Sequence, residues 1–190
     1  MSGQWPRSRT PFNCILIVLF SLSLFSGCAI RHPDADGVLS IRIDNTLKRF
    51  SSSINGGDAF LTKSEGVLVF PSVVKAGIAF GGEYGEGALL VGDDIVDYYS
   101  TAGASFGFQL GAQRKSLVLV FMTDESLFHF QNSSGWKVGV DGSVALLEWG
   151  VGEDINSIDI SSPVVGFVFD NEGLMYNLTL EGAKFTKLPK

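Results

Sequence analysis

Gly66-Val-Leu-Val-Phe-Pro-Ser-Val-Val-Lys-Ala-Gly77 is where the chain changes from helical to extended texture. Its apolar run at 67–70 is bounded by Gly66 and Pro71, the pattern of a short buried strand. Strands are expected next over 73–80, 85–91 and 95–100, with Gly92-Asp-Asp94 as a turn. In Ser105-Phe-Gly-Phe-Gln-Leu-Gly111 the alternation is strict, with Phe106, Phe108 and Leu110 on one face. Further strands are expected over 117–122, 137–140, 143–151, 164–169 and 174–180, with Asp170-Asn-Glu-Gly173 as a hairpin turn. Glycine weakens a strand unless something approaches that face closely. Gly77, Gly81, Gly82, Gly85, Gly87, Gly103, Gly107 and Gly111 therefore predict strongly coiled strands or tightly packed sheets.

Two kinds of helix flank this β texture. Leu39, Ile43, Leu47, Phe50 and Ile54 recur every three or four residues, one apolar stripe of an amphipathic helix. Ser51-Ser-Ser53 and Gly56-Gly57 end it, and a short helix is expected over 58–64. Thr123-Asp-Glu-Ser offers a capping hydroxyl followed by acids, so a second main helix is expected from there to about residue 132. The expected fold is α+β and β-rich. Its body is a compact antiparallel barrel- or sandwich-like structure, with an N-terminal amphipathic helix and one further helix.

Residues 1–28 read as an export leader. Arg7 and Arg9 give a positive start, and residues 14–25 form an uninterrupted apolar core. As a helix it reaches only about 18 Å, well short of a bilayer's hydrocarbon slab of about 30 Å. The segment ends in Phe25-Ser-Gly-Cys28, which resembles a bacterial lipobox, although Phe25 stands where Leu is usual. Cys28 is then the lipidated N-terminus, residues 29–37 are a tether, and residues 38–190 are a single domain. Ala29 after the cysteine points to the outer membrane facing the periplasm, because inner-membrane retention commonly uses Asp there.

Charge and residue inventory exclude whole classes of function. The chain carries 14 basic and 20 acidic side chains. Loss of Arg7 and Arg9 with the leader brings the mature charge near −8. Nucleic acid is bound largely by neutralising phosphates, so it is no partner for this chain. The only cysteines are Cys14, inside the leader, and Cys28, so the mature domain has no disulfide, thiolate ligand or cysteine nucleophile. His32 and His129 are far apart in sequence, and no metal or other cofactor is expected. Gly81-Gly-Glu-Tyr-Gly-Glu-Gly87 lacks the Lys-Ser/Thr ending of a phosphate loop. No catalytic residue is assigned, and the chain is expected not to be an enzyme.

Several stretches together resemble one family, the SYLF domain, also known through the yeast-type actin-binding domain. They are the segment from Gly66 to Gly77, Gly81-Gly-Glu-Tyr-Gly-Glu-Gly-Ala-Leu89 and Ala104-Ser-Phe-Gly-Phe-Gln-Leu-Gly-Ala-Gln113. Ser133-Ser-Gly-Trp-Lys-Val-Gly-Val-Asp-Gly-Ser-Val-Ala145 and Pro163-Val-Val-Gly-Phe-Val-Phe169 extend the likeness across the mature chain. The resemblance implies membrane lipid as ligand, anionic phospholipid above all, because eukaryotic relatives are associated with phosphoinositide membranes and actin. This chain departs from the basic pattern at Glu65 and Asp93-Asp94. The remaining cations include Lys63, Lys137, Lys184, Lys187 and Lys190. Lys75, Arg114 and Lys115 are the lipid-binding candidates, with Arg114-Lys115 expected as an exposed pair at a strand–strand turn. The alternative is a structural or adaptor lipoprotein that binds a protein partner, whose identity the sequence does not give.

Replacement Cys28→Ser is expected to abolish incorporation of labelled palmitate and to release the protein from the membrane fraction. Unchanged labelling would refute acylation at this cysteine.

Overall fold

Val67 to Phe70 and Leu117 to Phe121 are apolar at every position, which is the signature of strands buried on both faces. The computed structural model describes residues 35–78, 80–106, 111–148, 162–173, 180 and 182–189, and it places these two runs side by side. The leader, Cys28 and most of the tether lie outside the described residues. So does the strand expected over 174–180, apart from Leu180.

The β segments are β1 (Gly66–Ile78), β2 (Phe80–Val91), β3 (Asp94–Phe106), β4 (Gly111–Phe121), β5 (Trp136–Lys137), β6 (Ala145–Glu148), β7 (Val164–Gly173) and β8 (Lys184–Lys187). They form one sheet in the order β5-β8-β3-β2-β1-β4-β7-β6. Every pairing is antiparallel except β6 with β7. The sheet is thus mixed and curls into a half-barrel, within the α+β class expected from the sequence. Three helices accompany it among the described residues: α1 (Ala35–Ser53), α2 (Gly57–Lys63) and α3 (Asp124–Asn132). Thr123 caps α3 by accepting from the Ser126 backbone N–H at 3.2 Å, as its sequence predicts.

Period-two alternation sends the apolar side chains into two cores. On one face Leu68, Phe70, Leu89, Tyr99, Leu117, Leu119 and Phe121 pack with Phe130 of α3, Trp136 and Phe185. On the other, Val67, Val69, Leu90, Val118, Val120 and Phe167 pack with Ile43 and Phe50 of α1 and Phe60 of α2. Phe167 receives the edges of Phe50 and Phe60, each with ring centroids 5.0 Å away. Residues 36–190 form one compact unit that holds both cores.

Three details depart from the sequence reading. Pro71 does not end a strand; β1 runs through it with a bulge. Between Val69 and Ser72 the register slips against β2, and between Phe70 and Val73 it slips against β4. Proline has no N–H to give the ladder, so an extra residue at this point costs no hydrogen bond. The ends of the segment 105–111 fall in different strands, β3 ending at Phe106 and β4 beginning at Gly111, and residues 107–110 of the expected alternation lie outside the described residues. Last, Asp170 does not open a hairpin turn but sits within β7, at a left-handed φ of 52°.

The bulge explains one glycine. A Cβ on Gly87 would collide with the Val69 carbonyl oxygen and lie 2.7 Å from the Phe70 ring. Gly82, on the same strand, has nothing nearer than 3.9 Å. Gly87→Ala is therefore expected to cost about 3 kcal/mol or more in overpacking, whereas Gly82→Ala leaves stability within about 1 kcal/mol. Urea unfolding midpoints of the two variants check this, and equal midpoints would contradict it.

Candidate functional site

On α1, Arg42, Asn45, Thr46 and Arg49 recur at intervals of three, one and three residues, a stripe beside the apolar one. That flank forms one wall of a cleft of about 490 Å³. Pro71 and Ser72 of β1, Arg114 and Ser116 of β4, and Asp170, Asn171 and Glu172 of β7 complete it. Its volume falls within the range of small-molecule sites.

Local backbone irregularity builds the floor. Beside the bulge at Pro71, β7 also carries an insertion, because the register slips between Arg114 and Ser116 while β7 advances from Phe169 to Glu172. Ser116 joins the two bulges. Its hydroxyl lies 3.1 Å from the Pro71 carbonyl oxygen and 3.2 Å from the Asp170 carboxylate. The Arg49 guanidinium donates to Asp170 at 2.8 Å and to the Thr46 hydroxyl at 3.1 Å, and Thr46 donates to the Arg42 carbonyl at 2.8 Å. Asp170 combines a rare left-handed backbone conformation with a carboxylate held by both partners.

Arg49 is thus committed to Asp170. Arg42 and Arg114 line the same cleft with no ion pair to any carboxylate among the described residues. The lining carries three guanidiniums against Asp170 and Glu172, a local positive excess on an acidic chain. A guanidinium presents planar paired donors that match phosphate or carboxylate oxygens, and neighbouring amide and hydroxyl groups add donors. The arrangement is an anion receptor.

The three sequence candidates separate in the structure. Arg114 lines the cleft and is exposed. Lys115 is its neighbour inside β4, not at a turn, so alternation sends it to the opposite face of the sheet. There Lys115 is 2% exposed and pairs with Glu83 of β2 at 3.1 Å. Lys75 is buried too, at 5% exposure, directly across the strands from Glu83. The expectation of an exposed Arg114-Lys115 pair is therefore corrected: strand alternation divides the two, and ion pairing draws the lysine inward. The sequence reading does not select Arg42 and Arg49, although their spacing on α1 is a usable signal.

Two tyrosines near these groups have raised pKa values. Burial, then the hydrogen bond and charge of Glu86, push the Tyr84 hydroxyl up to about 12; it donates to Glu86 at 2.7 Å. Burial, then the charge of Asp97, push Tyr99 up to about 12. Both stay neutral at physiological pH.

Removing one partner of a buried pair strands the other's charge. Lys115→Met is expected to destabilise the 29–190 chain by about 3–5 kcal/mol, and adding Glu83→Gln to recover most of the loss. Urea titration of the single and double variants checks this. A stable single variant would mean that Glu83 is not held by Lys115.

Residues 102–189 match a family model, Ysc84, described as Las17-binding protein actin regulator. No curated protein matches the chain. The match opens inside β3 and runs through β8, taking in Arg114, Lys115, Ser116, Asp170 and Glu172. Arg42 and Arg49 of α1 and Lys75 of β1 precede it. The matched stretch, residues 102–189, is similar to the Ysc84 family, the SYLF family that the sequence resembles.

Proposed function

We propose that the chain is a non-enzymatic lipoprotein of a bacterial envelope whose SYLF domain takes the phosphate of an anionic phospholipid headgroup into the arginine cleft. An acylated Cys28 holds it, at the outer membrane facing the periplasm. The observation that carries the reading is the pair Arg42 and Arg114, two guanidiniums without a carboxylate partner among the described residues, in one cleft of an acidic chain. Lys75 and Lys115 have no part in it, because a buried ammonium beside Glu83 does not reach a membrane.

Magnitudes divide the work between anchor and domain. Each Lys or Arg near an anionic surface contributes about 1 kcal/mol, and at physiological salt screening removes much of that beyond about 8 Å. Two or three guanidiniums give weak, salt-dependent binding, against which the overall negative charge acts. Several acyl chains supply the residence time, and the cleft supplies the selection. A second reading, an adaptor lipoprotein that binds a protein, draws on the family description, which names a protein-binding regulator.

The test is co-sedimentation of the unacylated 29–190 chain with vesicles of phosphatidylcholine and phosphatidylglycerol. Wild type is expected to sediment at low salt and less at physiological salt. Arg42→Glu/Arg114→Glu should lose at least tenfold in partition with unchanged circular dichroism. No sedimentation of wild type with any anionic lipid at low salt would favour the adaptor reading.

A further inference from the structure

Beyond the Pro71 bulge the sheet has its usual polarity reversed. Lys75, Glu83, Gln113 and Lys115 share one face of the strands and are buried or nearly so. The opposite face is mostly apolar or small, with Glu86, which accepts from the Tyr84 hydroxyl at 2.7 Å, beside it. One register row across β4, β1, β2 and β3 is Arg114, Val74, Tyr84 and Ala102. The next is Ala112, Ala76, Gly82 and Ala104, all exposed. Val74 is 44% and Tyr84 52% exposed. Arg114 is the one charged residue in these two rows, the first of which continues to Glu172 of β7 beyond Arg114 and to Lys184 of β8 beyond Ala102. With strands about 4.8 Å apart and rows about 7 Å apart, the platform measures about 14 Å by 7 Å.

Buried charge opposite an exposed, sparsely charged sheet is the informative exception to the usual rule of burial. From it we infer that this platform lies flat against an anionic bilayer, with the arginine cleft at its inner edge taking a lipid phosphate. The inference rests on the headgroup reading above and adds the surface that meets the membrane. Continuity is its first support: Arg114 stands both in the first row and in the cleft, so cation and apolar face share an edge. The chemistry of the face is the second. Tyrosine favours the membrane–water interface, and an apolar surface beside cations is complementary to acyl chains below anionic headgroups. Shape is the third. Rows of Ala and Gly provide no pocket for the bulky anchors that carry protein–protein affinity, whereas a bilayer needs none.

Position 104 tests the platform in both directions without touching the cleft. Ala104→Leu in the 29–190 chain is expected to raise partition to phosphatidylglycerol-containing vesicles at least fivefold, through added apolar area. Ala104→Asp should lower it at least tenfold. The indole introduced by Tyr84→Trp should be quenched by vesicles whose phosphatidylcholine carries brominated acyl chains, beyond any quenching in wild type. Wild-type binding with no effect at position 104, or with the introduced indole unquenched, overturns the platform and leaves the headgroup reading standing. Absence of wild-type binding to any anionic vesicle overturns both. A blue shift of the introduced indole only as the chain associates with a second copy, without vesicles, would replace the bilayer by a protein partner and overturn the inference.

Discussion

The extra residue of β1 at Pro71 is the constraint on which the site depends. Before it, Leu68 and Phe70 belong to the α3-side core; after it, Val73 does. Three steps along β1 match two along β2 and two along β4, so the alternation changes phase there. Without that change Val74 and Ala76 would enter the interior, and Lys75 would face solvent. A proline makes the break cheap, having no ladder N–H to lose. The Ser116 hydroxyl then satisfies the carbonyl that the bulge displaces. A buried carbonyl left without a partner would cost on the order of 1–3 kcal/mol.

Ser116 also connects this break to the one in β7, through Asp170. Two bulged strands on either side of β4 leave room between sheet and helix, and α1 fills its part of that room with arginines instead of apolar residues. The Asp170 carboxylate sets Arg49 in place, while Arg42 and Arg114 form no ion pair among the described residues, with Glu172 across the strands from Arg114. An acidic domain thereby acquires a locally cationic surface. The exposed Arg49–Asp170 pair contributes little stability, because solvent screens it. Its effect is positional.

Charge is disposed differently on the other face. Lys115 and Glu83 are almost withdrawn from water, so each depends on the other to offset desolvation. Lys75 lies next to them on the same face, buried as well. The domain therefore keeps some charges as internal framework and others at a surface cleft, and adjacent residues of β4 fall on opposite sides of that division.

The α+β class, the stripe of α1, the Thr123 cap and the apolar cores of β1 and β4 are legible in the sequence. Each is a local periodicity or a cap, and such signals need only neighbouring residues. The SYLF resemblance is legible too, because its glycine and aromatic spacing runs through long contiguous stretches. Pro71 reads wrongly as a strand end, since breaking a strand and bulging it look alike without the partner strands. Arg114 and Lys115 read wrongly as a pair for a related reason: adjacency in sequence means opposition in a strand, and the turn that would join them does not form there. The stripe of Arg42 and Arg49 is visible, but nothing local ties it to Arg114, which lies far along the chain. Sequence alone determined which elements form and which faces are apolar, because hydrophobic period and capping act within a few residues. Only the tertiary structure decided which cations meet and which are buried, because two bulges and a long-range register set the phase of the sheet beneath them.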